Sequence, residues 1–119
     1  MKGRAILIVD DDPYLCTLLT NVFERLQFQV ECANSLNEAL QIIGKLKPFL
    51  VLLDHYLPDG KGLNLINNIK KKYHCRVIVM SADPSPFIKT LALKRGADDY
   101  IEKPFKGDEI SNRVLEYEN

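Results

Sequence analysis

Five residues could do chemistry together if a fold brought them to one place: Asp10, Asp11, Asp54, Ser81 and Lys103. Three carboxylates in one pocket repel, and each raises the pKa of its neighbours. Protonation relieves that repulsion, and so does a hard divalent cation. A donor set made only of oxygens suits Mg2+, which binds through one or two carboxylates and completes an octahedron with water and substrate phosphate. Mg2+ and Lys103 together would balance the three acids and leave a pocket able to accept a phosphoryl group. Phosphoryl transfer asks for an in-line nucleophile, a cation bridging the oxygens, and donors for the equatorial charge. Asp54 can be the nucleophile, because carboxylates form aspartyl phosphates. Asp10 and Asp11 can hold the metal, and Ser81 Oγ and Lys103 Nζ can meet the remaining oxygens.

The elements that must position these residues are legible as alternating patterns. Arg4–Val9 is a β-branched run that ends in Asp10, Asp11 and Asp12. From Pro13 to Leu26 the apolar residues Leu15, Leu18, Leu19, Val22, Phe23 and Leu26 recur at helical spacing. Phe28–Ala33 alternates as a strand covered on one face, and Ser35 with Glu38 forms a capping box for a helix carrying Leu36, Ala39, Leu40 and Ile43. Phe49–Leu53 and Val77–Met80 are apolar throughout, as central parallel strands are. A loop from Asp54 to Gly62 leads to a helix carrying Leu63, Ile66 and Ile69. A helix after Pro86 uses Ile88, Leu91 and Ala92, with Gly96 as its stop. A short strand, Asp99–Ile101, precedes Lys103-Pro104, and a helix spans about 105–117.

Five strands, each followed by a helix, predict an α/β fold: one doubly wound domain over residues 1–119 with a parallel five-stranded sheet. In such folds ligands bind where the C-terminal ends of the strands converge. The five candidate residues stand at the ends of the first, third, fourth and fifth strands. Taken singly, each has a plainer reading. Asp54 suits a turn as well as a site, Ser81 a turn, and Lys103 a solvated surface; Asp12 before Pro13 reads as a helix N-cap. Turn chemistry does not account for all of them at one sheet edge.

Composition narrows the function classes. With 119 residues, the chain can bury roughly two thirds of its unfolded surface, so it needs no disulfide or structural metal. Sixteen basic residues balance sixteen acidic ones, which argues against direct nucleic-acid binding by this domain. No apolar run approaches the roughly 20 residues of a membrane span, and Met1–Arg4 leads into a strand rather than a signal peptide. Cys16, Cys32 and Cys75 read as reduced thiols of a cytoplasmic protein, with Cys16 and Cys75 buried. Lys89, Lys94 and Arg95 read as a solvated helix surface.

Four stretches carry a resemblance over essentially the whole chain. They are 6–12 (ILIVDDD), 52–62 (LLDHYLPDGKG), 80–82 (MSA) and 97–105 (ADDYIEKPF). In this order and spacing the chain resembles the receiver domain of two-component response regulators. The resemblance implies a flavodoxin-like (βα)5 fold of strand order 2-1-3-4-5. It implies Asp54 as phosphoacceptor and Asp10, Asp11, Asp54 and the backbone carbonyl of His55 as ligands of Mg2+. It also implies Ser81 as switch hydroxyl, Lys103 as the family's lysine before a cis Pro104, and Tyr100 as an aromatic that swings inward when the hydroxyl moves towards the phosphoryl group. The implied function is signalling. A sensor histidine kinase donates the phosphoryl group, and the face of the fourth helix, fifth strand and fifth helix then controls an output partner or self-association, as in transcription regulation. The domain would catalyse its own phosphorylation and dephosphorylation without being a turnover enzyme.

Three features depart from the family's usual pattern. The loop after the acceptor reads Leu-Pro-Asp-Gly-Lys-Gly, Tyr56 is bulky at a position that influences the access of water, and Asp83-Pro84-Ser85-Pro86 carries two prolines. Two rival readings compete. One is a phosphorylation-independent dimerisation module of the same fold. The other is an aspartyl-nucleophile phosphatase of the haloacid dehalogenase kind, whose motif Asp10-x-Asp12 fits until Tyr14.

Overall fold

Apolar runs too short for helices pair into a sheet, and the amphipathic stretches between them cover it. The computed structural model describes residues 4–118, so the Met1–Gly3 lead-in lies outside the described residues. The chain runs β1 (Ala5–Val9), α1 (Pro13–Arg25), β2 (Gln29–Ala33), α2 (Leu36–Leu46), β3 (Leu50–Asp54), β4 (Tyr56–Leu57), β5 (Gly60–Lys61), α3 (Leu63–Lys72), β6 (Arg76–Ser81), α4 (Pro86–Lys94), β7 (Asp99–Glu102) and α5 (Gly107–Glu116). The main sheet is parallel in the order β2-β1-β3-β6-β7, which is the expected 2-1-3-4-5 order of the core. Alternation along the central strands builds two apolar layers. Leu7, Val9, Val51, Leu53, Val77 and Val79 join one; Ile6, Ile8, Leu50, Leu52, Ile78 and Met80 join the other. The three central strands are buried on both faces, which is why their sequences do not alternate.

Several local expectations shift. The loop after Asp54 contains an antiparallel ribbon, with Tyr56 opposite Lys61 and Leu57 opposite Gly60. Helix α1 buries Cys16, Leu19 and Phe23, whereas Leu18 and Leu26 are exposed, because the seam facing the sheet is narrower than the apolar stripe. On the expected face of α4 only Ala92 is buried, and Leu40 of α2 is exposed. Helix α5 begins at Gly107 rather than 105.

The caps follow their chemistry. Asp12 accepts from the Tyr14 and Leu15 amides at 3.0 and 3.4 Å. Ser35 accepts from the Glu38 amide at 3.1 Å, but Glu38 reaches back to the Asn34 amide, so the capping box closes one residue early. The Lys103–Pro104 bond is cis.

Candidate functional site

The register of the sheet brings the candidate residues together. Val9 stands beside Leu53, so the next residues, Asp10 and Asp54, come side by side at the C-terminal ends of β1 and β3. Asp54 pairs with Met80, which puts Ser81 one step further on. Ser81 pairs with Glu102, and the Lys103 amide donates to the Ser81 carbonyl at 2.9 Å. Parallel strands of similar length thus turn four distant positions into neighbours. Asp10, Asp11 and Asp54 each offer a carboxylate oxygen within 4.8 Å of the others. Asp10 is fully buried, Asp54 is buried and Asp11 is exposed.

Lys103 is the counter-charge inside this group. Its Nζ donates to Asp10 Oδ2 at 2.7 Å and lies 3.5 Å from Asp54 Oδ1. Burial favours the neutral amine, but the hydrogen bond to Asp10 and the charges of Asp54 and Asp10 outweigh it and raise the lysine pKa. Burial pushes Asp54 up to about 6, and the Asp10 charge adds to this, with Lys103 and the His55 amide opposing. The remaining Asp10 oxygen accepts the Asp12 amide at 2.9 Å. One ammonium therefore serves two buried carboxylates, with a third beside them.

The loop beyond Asp54 is held close. Gly62 donates to the His55 carbonyl at 2.6 Å, which leaves that oxygen one lone pair for any other partner. A Cβ on Gly62 would collide with the Asp54 carbonyl and stand 3.2 Å from Leu53 Cγ, so this turn requires glycine. The His55 side chain is buried with Nδ1 unpartnered; burial and the Lys61 charge lower its pKa. The Tyr56 hydroxyl donates to Asp83 at 2.5 Å and Lys61 lies over its ring at 4.2 Å, so the loops after β3 and β6 are tied across the mouth of the site.

Ser81 is fully buried, and its Oγ accepts the Asp83 amide at 3.0 Å. Tyr100 is buried in the layer under α3 and α4. Burial raises its phenol pKa, and a hydrogen bond with Ser81 pulls the other way. Lys89, Lys94 and Arg95 are exposed, although Arg95 also donates to Asn64 at 2.7 Å.

Sequence reasoning missed two supports. Asp59 caps α2 from the ribbon, accepting the Leu36 and Asn37 amides at 2.8 and 2.9 Å. Asp98 gathers Lys70 and Arg76 at 2.7 and 3.2 Å and accepts the Val77 amide at 2.8 Å. Such contacts bridge residues far apart in the chain, and no local pattern marks them.

The response regulator receiver domain model matches residues 6–115. The chain belongs to that family. A two-component response regulator from Clostridium difficile is similar at 28% identity and TM-score 0.92, over 96% of this chain and 94% of that one. The BeF3-activated N-terminal receiver domain of RstA from Klebsiella pneumoniae is similar at 27% identity and TM-score 0.89, over 98% of this chain and all (100%) of that one. NtrX from Brucella abortus, in complex with ADP, is similar at 31% identity and TM-score 0.87, over 98% of this chain but only 26% of that longer one. Among the described residues of this receiver, no helix is long and apolar enough to cross a membrane.

Proposed function

We propose that this receiver, acting as one unit over residues 1–119, takes a phosphoryl group from a sensor histidine kinase onto Asp54 and signals through the face of α4, β7 and α5. The reading places it in the cytoplasm, as a switch rather than a turnover enzyme, controlling an output partner or its own association. The observation that carries it is the sharing of one lysine by two buried carboxylates, at 2.7 and 3.5 Å, with Asp11 beside them. Acids outnumber cations where charge is costly, and an all-oxygen donor set fits Mg2+. Asp10, Asp11 and Asp54 would hold the ion, and the second lone pair of the His55 carbonyl could add to them. When bound, Mg2+ would offset the negative charge of the phosphoryl oxygens.

The chain's own residues supply the rest. Asp54 presents the attacking oxygen, and its raised basicity strengthens it as a nucleophile while leaving it mostly ionised above pH 6. Lys103, already bonded to Asp10, has a further N–H for a phosphoryl oxygen. Ser81, whose buried Oγ accepts the Asp83 amide, would turn its hydroxyl to the new phosphoryl group, and the family's inward-swinging aromatic, Tyr100, would carry that movement to the β7 edge. The phosphoryl group must favour the switched arrangement by a few kcal/mol to dominate it, about 5.5 kcal/mol for a shift from 1:99 to 99:1. The phosphatase alternative needs Asp12 as its second acid, and Asp12 is exposed and committed to capping α1.

The test is intact mass after incubation with acetyl phosphate and Mg2+. Wild type should gain one phosphoryl group and Asp54→Asn none. No gain in wild type, or equal gain in the variant, would refute the reading.

A further inference from the structure

The chain as a whole is electrically balanced, but its charges are segregated. Residues 60–97 hold eight of the sixteen Lys and Arg and one of the sixteen Asp and Glu, Asp83. That segment carries a formal charge of +7, and the rest of the chain, with eight cations and fifteen acids, carries −7. Six of the eight cations stand on α3, on α4 or at Arg95, the C-cap of α4. Cations suit the last turns of helices, where carbonyls are unpaired. That preference does not explain why α3 and α4 carry no acid even in their first turns. Lys70 and Arg76 pair with Asp98. Lys71, Lys72, Lys89, Lys94 and Arg95 have no carboxylate partner among the described residues.

Between the two helices lies a trough of about 520 Å3, lined by Leu63, Asn64, Asn67, Lys94 and Arg95. Arg95 is held towards α3 by its 2.7 Å bond to Asn64 and keeps further N–H donors. A Cβ on Gly96 would stand 3.8 Å from Lys70 Cγ, so the end of α4 lies along α3. Lys71 follows Asn67 by one turn on the same helix face. Leu63 is buried, and the other four lining residues are polar and exposed. The exposed apolar residues of α4, Phe87, Leu91 and Leu93, do not line the trough.

We propose that the trough between α3 and α4 seats the sugar-phosphate backbone of duplex DNA, without reading its sequence. Protein interfaces deplete lysine and centre on apolar and aromatic groups, and no exposed one lines this trough. A single strand is gripped by stacking on aromatic rings, which the lining also lacks. Phosphate contacts use Arg, Lys and Asn side chains, the types present here. The overall balance that argues against nucleic-acid binding is a sum over the chain. At contact distance the local face decides, because salt at 0.1 M screens each exposed charge beyond about 10 Å.

The experiment titrates the full chain into a fluorescent duplex of about 20 base pairs and follows anisotropy from about 50 to 200 mM KCl. With about three to five phosphates neutralised, log K should fall with log salt at a slope of about −2.7 to −4.5, a loss of about 40- to 500-fold over that range. The double variant Lys71→Gln/Lys94→Gln should make the slope shallower by about 1.8 and weaken binding at least about five-fold at the lowest salt. Arg25→Gln, which removes an exposed cation of α1 in the other half of the charge distribution, should match wild type. Absence of binding at the lowest salt, an unchanged slope in the double variant, or equal weakening by Arg25→Gln would each overturn the proposal. So would tighter binding of the corresponding single strand, or of polyglutamate, than of the duplex. The trough shares no residue with the Asp54 pocket and the assay contains no phosphoryl donor, so the result is independent of phosphorylation.

Discussion

Replacing Asp54 by Asn should stabilise the metal-free protein, although it removes the group proposed to accept phosphate. Burial and the Asp10 charge raise this carboxyl from 3.8 to about 6 in the folded chain. The difference of about 2.2 in pKa, at 1.36 kcal/mol each, means that the ionised group costs the fold about 3 kcal/mol. The sign follows from proton binding. A raised carboxyl pKa means that the folded state binds more protons, so stability from this group increases as pH falls and is lost as pH rises through 6. The full cost stands at pH 8, about half remains at pH 5, and little below the unfolded value of 3.8. Asparagine keeps the shape and one acceptor for Lys103 but carries no charge. Urea unfolding in EDTA should therefore place the Asp54→Asn midpoint about 1–2 M above wild type at pH 8, for a slope of about 1.5–2 kcal/mol per M. The gap should halve at pH 5, since titrations elsewhere cancel in the comparison. Adding Mg2+ at pH 8 should narrow it by stabilising wild type. An Asn variant no more stable than wild type at pH 8, or a gap independent of pH, would refute the crowded-carboxylate argument.

Other perturbations test the supports. Lys103→Met leaves the fully buried Asp10 without its cation, and urea unfolding at pH 7 should show a loss of about 3–5 kcal/mol. Gly62→Ala drives a Cβ into the Asp54 carbonyl; denaturation should register about 1–3 kcal/mol of destabilisation, and phosphate uptake from acetyl phosphate should fall with it. Burial alone would raise the Asp98 pKa, but Lys70, the Val77 amide and Arg76 hold it below its ordinary value. Its contribution is therefore present above 3.8 and lost as pH falls through the lower folded value. Asp98→Asn should cost about 1.5–3 kcal/mol at pH 7 by urea titration, with the difference shrinking in acid.

How far the chain announced itself depends on the range of the interactions concerned. Strand and helix order were legible because burial on both faces leaves unbroken apolar runs at Ile6–Val9, Leu50–Leu53 and Val77–Met80, while burial on one face gives the stretches between them a helical period. The Asp12 cap was legible because its partners are two and three residues away. The width of the buried seam on α1 was not, since Leu15, Leu18 and Leu26 fit a helical stripe whether or not the sheet reaches them. The ribbon at 56–61 was hidden for a similar reason: two-residue strands carry no period.

By itself, then, the sequence determined which residue types end the strands, and with them the kind of chemistry open to the site. Only the tertiary structure decided that Lys103 bonds Asp10 more closely than Asp54 and that Tyr100 lies inside. Those outcomes depend on sheet register and on burial of charge. Both are sums over contacts between segments far apart in the chain, and no window along it contains them.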